Sequence, residues 1–171
     1  MTKKRLPALL GLALAALTAT LLFSGCNSST KTKNYPVIVT RFLIEARANE
    51  AGAPVTLPQS GLTFNVRTSP QFTEYDIVKV TQAKSDLGPF LVFQLTPQAA
   101  RDLYRFSVTN QGLRLLLTLN GDAVGARLID GAFADGTIMT YVEVDDDELP
   151  DLVKNINKTS TDIQVEQAKK N

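Results

Sequence analysis

Apolar and polar residues alternate along several short stretches of the chain, and this two-residue period predicts β-strands. Between residues 37 and 47, Ile38, Phe42 and Ile44 share one face, while Arg41 and Glu45 share the other. Further strands are predicted at residues 61–67, 75–84, 88–95, 113–119, 123–129 and 137–144. The stretch 88–95 is almost wholly apolar, so we expect it in the centre of a sheet.

A helix is predicted at residues 96–112, where the apolar spacing changes. Thr96 is a good N-cap, and Pro97 suits the first helical position because its fixed φ is already helical. Gly112 suits the position just past the helix end. One face of this helix carries an apolar stripe, formed by Ala99, Leu103 and Phe106 with Ala100 beside it.

A second helix is predicted to begin near residues 145–150, because apolar residues again follow helical spacing. They are Leu149, Leu152, Val153 and Ile156. Between two predicted strands, Asn120-Gly121 favours a type I′ hairpin turn, which needs positive φ at both positions. Two helices among many hairpin turns predict the α+β class, with an antiparallel or mixed sheet and about two helices packed on one face.

The first 25 residues have a different composition. Lys3, Lys4 and Arg5 form a positive start, and residues 6–23 are apolar and uncharged. Such a stretch is long enough to span a bilayer. A basic start, an apolar middle and a small-residue end are also the marks of a secretory signal peptide.

This segment ends at Phe23-Ser24-Gly25-Cys26, which resembles the bacterial lipobox; Cys26 is the only cysteine of the chain. The resemblance makes residues 1–25 a lipoprotein signal peptide and Cys26 the lipidated new N-terminus. The alternative is an uncleaved anchor helix with an incidental cysteine. Either way, residues 27–171 are expected outside the cytoplasm on a membrane tether. Asn27 favours the outer membrane, if the source has one, because an inner-membrane retention signal has Asp there.

The remaining chain is expected to form one domain between two polar ends. Residues 26–34 are polar and small and predict a flexible tether, and residues 159–171 predict a polar tail that is either frayed or weakly helical. The folded domain is therefore expected at residues 35–158. Loss of residues 1–25 removes three of the 18 basic residues and leaves 15 against 17 acidic ones.

The composition limits the catalytic and metal-binding sites that the chain can form. The chain has no His, so it lacks the commonest general base and the commonest neutral metal ligand. It also has no phosphate loop and no Gly-x-Gly-x-x-Gly motif. We therefore expect no enzyme activity, no cofactor and no metal. The net charge of +1 does not favour nucleic-acid binding, which usually needs a basic patch.

Three groups of residues are candidate binding or catalytic sites. The carboxylates of Asp145–Glu148 could bind Ca²⁺, but without EF-hand-like spacing they are better interpreted as a helix cap. The segment Asn120–Asp122 is interpreted as a hairpin turn rather than a catalytic loop. Arg101, Arg105 and Arg114 could form a patch for acidic groups, but a solvated helix face is the favoured interpretation.

The central block resembles a known family. The residues GPFLVFQLTPQAARDLYRFSVTNQGLRLLLTLNGDAVGARLI resemble the head subdomain of the first periplasmic domain of the protein-export proteins SecD and SecDF. The matching pieces are Leu95-Thr96-Pro97, Ala99-Ala100, Thr109-Asn110-Gln111-Gly112, Leu115 to Leu119, Asn120-Gly121 and Val124 to Ile129. The resemblance covers residues 60–158. The chain departs from the family at Gly125–Ile129, where the family has Ser-Ala-Pro-Val-Ile, and after residue 25 it lacks the family's transmembrane stretches.

The resemblance implies a domain that binds emerging polypeptide. The first functional hypothesis is accordingly a non-enzymatic envelope lipoprotein that binds polypeptide or an envelope protein, in an accessory role in protein export. An exposed apolar groove or an open sheet edge would support it. The alternative is an extracytoplasmic lipoprotein that binds a small molecule, which requires a concave apolar pocket.

Overall fold

The computed structural model describes residues 33–170. The predicted signal peptide, Cys26 and all but the end of the predicted tether lie outside the described residues. The strands are β1 (Thr40–Ile44), β2 (Ala53–Thr56), β3 (Thr63–Val66), β4 (Ile77–Ser85), β5 (Gly88–Leu95), β6 (Arg114–Leu119), β7 (Asp122–Leu128) and β8 (Thr137–Tyr141). The helices are α1 (Pro97–Thr109) and α2 (Leu149–Ala168), and a 3-10 turn spans Glu74–Asp76.

The first sheet has the strand order β1-β6-β7, and both pairs are antiparallel. Its central strand β6 is buried along almost its whole length. The β6–β7 hairpin turns at Asn120 and Gly121, whose φ angles are 54° and 103°. The turn predicted from Asn-Gly is therefore confirmed.

The second sheet has the order β4-β5-β8, again antiparallel. Its central strand β5 was predicted with the same bounds, Gly88–Leu95, from its apolar sequence. The outer strand β4 is interrupted by an irregularity between Ile77 and Lys79. A backbone bridge between the two sheets joins Gly125 of β7 to Val142, the residue after β8.

A third sheet is the two-stranded β2–β3 hairpin. The sequence pattern did not predict β2, because Pro54 and the surrounding small residues are typical of a turn. Pro54 nevertheless lies opposite Asn65 in the pair. The base of the hairpin is joined to β1 by a bridge between Glu45 and Val66.

The core lies between the first and second sheets. The Phe42 ring of β1 meets the Phe93 ring of β5 edge to face, with the centroids 5.0 Å apart, and neither side chain is exposed. Ile77 of β4 is also fully buried. The α+β class is confirmed, but the strands are divided among three small sheets instead of one.

Helix α1 forms as predicted. The Thr96 hydroxyl accepts a hydrogen bond from Ala99 N at 3.3 Å, and Pro97 occupies the first turn. The predicted apolar stripe faces inward: Leu103 is fully buried, and the Phe106 ring meets the Phe72 ring edge to face at 5.7 Å. The cap and the stripe together fix the start and the rotation of the helix.

Helix α2 extends ten residues past the predicted domain end and reaches Ala168. Residues 159–168 of the predicted polar tail are therefore part of this helix and not a frayed end. Thr159, Ser160 and Ile163 are buried, and the Thr159 hydroxyl accepts a hydrogen bond from Ile38 N at 3.2 Å. Burial of these residues and the hydrogen bond to Ile38 stabilise the helical conformation of this polar sequence.

Asn157 of α2 binds the outer edge of β4. Its amide oxygen accepts a hydrogen bond from Val80 N at 2.7 Å, and its amide nitrogen donates to Val80 O at 2.8 Å. A neighbouring strand would make the same two kinds of bond. No helix within residues 33–170 is long and apolar enough to cross a membrane.

Candidate functional site

An apolar groove lies where the β2–β3 hairpin, the β4–β5 turn and the β7–β8 junction meet. Its volume is about 490 Å³. Its apolar lining consists of Leu57, Leu62, Phe64, Leu87, Pro89, Gly125, Ala126, Leu128, Tyr141 and Val142, and its polar lining of Gln59, Arg114 and Glu143. The groove is open to solvent along its length.

Three leucines form the exposed rim of the groove. Leu87 in the β4–β5 turn is 82% exposed, Leu62 in the β2–β3 turn 56%, and Leu128 at the end of β7 45%. Single exposed leucines are common on protein surfaces, but several around one groove mark an interaction site. Leu62 lies in the same predicted strand as Val66, but Val66 is buried and Leu62 is exposed.

The groove floor is the junction between the two main sheets. At Gly125, an added Cβ would lie 2.3 Å from the carbonyl oxygen of Tyr141, so β7 and β8 approach too closely for any side chain. The Tyr141 hydroxyl lies 3.2 Å from Ser85 Oγ, within hydrogen-bond distance. These contacts fix the floor relative to the β4–β5 turn that carries Leu87.

The β2–β3 hairpin forms one wall, and Glu143 holds its tip. A carboxylate oxygen of Glu143 accepts hydrogen bonds from Gln59 N at 2.7 Å and Ser60 N at 2.9 Å. Partial burial raises the pKa of Glu143, but the hydrogen bonds from Ser60 and Gln59 outweigh it and hold the pKa below its usual value. The ionised side chain therefore stabilises the closed wall.

We expect Glu143→Gln to destabilise the protein by about 1 kcal/mol near neutral pH, because a neutral acceptor replaces a charged one. A carboxyl group with a lowered folded-state pKa stabilises the fold above its unfolded pKa and loses this contribution as the pH falls through the folded value. Urea unfolding should therefore show a difference between variant and parent at about pH 7 that is smaller at about pH 3.

A matched control is Glu148→Gln, because the Glu148 side chain makes no capping hydrogen bond. It should leave the stability unchanged at both pH values. A Glu143→Gln difference that persisted undiminished in acid would show that the charge of Glu143 does not hold the hairpin.

Arg114 forms the other polar border of the groove. Its guanidinium lies 5.5 Å from the centroid of the Phe64 ring and donates to Glu45 Oε2 at 3.2 Å. The structure thus separates Arg114 from Arg101 and Arg105, with which it was grouped from the sequence. The latter two lie on α1, where Arg105 pairs with Asp102 and Arg101 donates to Gln98.

The sequence suggested that the acidic run Asp145–Glu148 caps α2. The Glu148 side chain makes no capping hydrogen bond. Instead, the main-chain oxygen of Asp145 accepts from Glu148 N at 3.0 Å and from Leu149 N at 3.3 Å. The Asp146 carboxylate pairs with Lys84 of β4. In the part of the chain that the structure describes, no three acidic, His or Cys side chains converge on a possible metal position.

Comparison with known proteins supports the fold. No protein-family model matches the sequence, and neither does any curated protein. A crystal structure of SecDF in a super-membrane-facing form is similar with a TM-score of 0.57 and 18% identity, over 70% of this chain and 18% of that one. A structure of SecDF, a membrane component that enhances protein export, has a TM-score of 0.55 and 17% identity, over 71% of this chain and 62% of that one.

The chain spans less than two thirds of either SecDF structure. At this level of identity, the similarity concerns the fold and not the activity. The expectation of a SecD-like α+β fold, made from the sequence of residues 60–158, is confirmed: the described residues share the fold of part of SecDF.

Proposed function

We propose that this protein is a non-enzymatic, lipid-anchored extracytoplasmic protein whose apolar groove binds segments of polypeptide, in an accessory role in protein export or in the cell envelope. The observation that carries the proposal is the rim of Leu62, Leu87 and Leu128 around an open groove. An extended chain with apolar side chains suits such a surface, because the rim leucines lose water on contact.

Contacts at two sheet edges, β4 and β1, favour binding in the groove over the addition of a partner strand. On β4, Asn157 already occupies the hydrogen-bonding groups of Val80. On β1, Phe42 N donates to Phe72 O, and Phe42 O accepts from Gln71 N, both at 2.8 Å. A partner strand could not use these positions without displacing the chain itself.

The alternative, binding of a small molecule, has weaker support. Another cleft, with a volume of about 660 Å³, lies beside α1. Gln98, Arg101, Arg105 and Asp135 line much of it. Sites for small molecules are usually enclosed and mostly apolar, so this open, charged cleft fits a ligand site less well than the groove fits a polypeptide.

The proposal includes attachment of the protein to a membrane through lipid on Cys26. A single acyl chain binds a membrane only marginally, whereas two or more hold a protein stably. Mass spectrometry of the protein extracted from native membranes should find lipid on Cys26, and Cys26→Ser should abolish it. Affinity purification of both forms then shows whether partner capture depends on the anchor.

We expect a photo-reactive amino acid at position 87 or 128 of the full chain to crosslink to polypeptides in cells. Position 108 is the matched control, because Val108 is 47% exposed, close to the 45% of Leu128, but lies on α1 away from the groove. Adding Leu62→Asp to the position-87 form should lower crosslinking about tenfold, because a charge replaces an apolar contact.

Equal crosslinking at positions 87, 128 and 108 would contradict a specific groove. So would crosslinking at position 87 that Leu62→Asp leaves unchanged. Crosslinking to lipid-soluble small molecules alone would favour the alternative function.

A further inference from the structure

The chain enters the described domain along α2. The Tyr35 hydroxyl donates to Asp162 Oδ2 at 2.5 Å, and the Lys158 ammonium lies 5.3 Å from the centroid of the Tyr35 ring. Three residues later, Ile38 N donates to Thr159 Oγ1. These contacts fix the point at which the predicted tether reaches the domain.

This entry point lies far from the rim leucine Leu87. Helix α2 runs antiparallel to β4: Asp146, just before the helix, pairs with Lys84, whereas Gln164 donates to Ile77 O at the opposite end of the strand. Leu87 follows directly after the Lys84 end of β4. At about 1.5 Å per residue, Asp162 lies about 20 Å along α2 from its first residue.

The covalent connection to Cys26 is short. Eight residues, 27–34, separate Cys26 from Tyr35. Fully extended, they reach at most about 28 Å. A lipid on Cys26 would therefore keep the second half of α2 within about one domain diameter of the membrane surface.

The surface around this half of α2 combines lysines with exposed apolar side chains. We call it the tether face and define it by Lys158, Lys169 and Lys170, all exposed, with Val165, which is 48% exposed, and Tyr75, which is 55% exposed. Gln164 joins Tyr75 to the helix through a hydrogen bond to Tyr75 O at 3.2 Å. The acidic groups of the same half of α2 are Asp162, which is bonded to Tyr35, and Glu166. Beside Tyr75, Glu74 pairs with Arg41, and Asp76 accepts a hydrogen bond from Thr73 N.

We propose that the tether face rests on an anionic lipid surface, with the lysines at the headgroups. Lysines attract anionic lipid over a Debye length, and an exposed tyrosine suits the interface between headgroup and water. This inference rests on the proposed lipid anchor, which brings the tether face to the membrane. In that orientation α2 stands between the lipid and the groove, and Leu87 points into the aqueous compartment.

The test uses the absence of tryptophan from the native chain. Val165→Trp and Leu87→Trp each introduce one fluorophore at an exposed position. The purified full-length lipoprotein is reconstituted into vesicles of phosphatidylcholine, with or without phosphatidylglycerol, whose acyl chains carry bromine as a quencher. We expect strong quenching of the position-165 fluorophore in anionic vesicles only, and none of the position-87 fluorophore in either.

Replacement of Lys158, Lys169 and Lys170 by glutamine provides the charge control. Since each lysine near an anionic surface contributes about fivefold to binding, the ratio of docked to undocked protein should fall by about two orders of magnitude. Quenching of the position-165 fluorophore should then drop to its level in neutral vesicles.

The outcomes separate this inference from the proposed function. If the parental protein does not float with vesicles and Cys26 carries no lipid, the anchor fails and the tether-face inference fails with it. If the protein floats but the position-165 fluorophore is unquenched in anionic vesicles, or both fluorophores are quenched equally, the tether-face inference alone is overturned. Crosslinking at the groove tests polypeptide binding independently of either result.

Discussion

Phe42→Ala is expected to lower the free energy of unfolding by about 4 kcal/mol. Phe42 is fully buried, and its ring meets Phe93 edge to face at 5.0 Å. Truncation removes apolar contact, leaves a cavity and abolishes an aromatic pair that joins the two main sheets. Urea unfolding followed by far-UV circular dichroism measures the change.

Leu87→Ala is the matched control, since it also truncates a large apolar side chain but at a position that is 82% exposed. It should change the stability by less than about 0.5 kcal/mol. A loss of less than about 1 kcal/mol for Phe42→Ala would mean that the core closes around the missing ring, and that this aromatic pair does not hold the sheets together.

Gly125→Ala is expected to destabilise the protein by about 3 kcal/mol, although it adds a single methyl group. The new Cβ would lie 2.3 Å from Tyr141 O and 2.9 Å from Thr140 Cγ2. A main-chain atom cannot rotate away as a side chain can, so β7 and β8 must separate. Because their junction is also the groove floor, we expect groove crosslinking to fall as well.

Gly131→Ala makes the same chemical change in open space, since no atom lies within 4 Å of the added Cβ. Its φ is not in the left-handed region. The variant should be neutral or slightly stabilising, because alanine has less conformational freedom in the unfolded chain. Equal stability of the two variants would show that the sheets can move apart at Gly125 without cost.

The elements that depend on local sequence could be predicted. Thr96 and Pro97 fix the start of α1 through a cap and a preset φ, and Asn120-Gly121 fixes a turn through positive φ. These signals act within a few residues, so no tertiary contact is needed to interpret them.

The second half of α2 could not be predicted in the same way. Thr159 and Ser160 are polar, and polar residues near a chain end usually indicate a solvated tail. In the structure both are buried, and Thr159 accepts a hydrogen bond from Ile38, 121 positions earlier in the chain. Ile38 comes close enough to donate this hydrogen bond only in the folded protein.

The groove could not be predicted from the sequence either, because it too depends on contacts formed only in the folded chain. Its rim leucines come from three turns or strand ends that are distant in sequence, and each resembles a core residue by type alone. The sequence did indicate the residues that a resemblance to SecD would match, but Leu87 is not among those motifs. Exposure, which depends on the whole fold, distinguishes them from Leu103 or Leu117.

The side chain of Asn157 bears on how copies of this protein behave when they are crowded together. An unpaired strand edge is a template for another chain and a common start of aggregation. On β4, Asn157 fills the edge at Val80, and the irregularity beside Lys79 distorts the strand next to it. Neighbouring copies held at high density on one surface are therefore not expected to join through β4 into a continuous sheet.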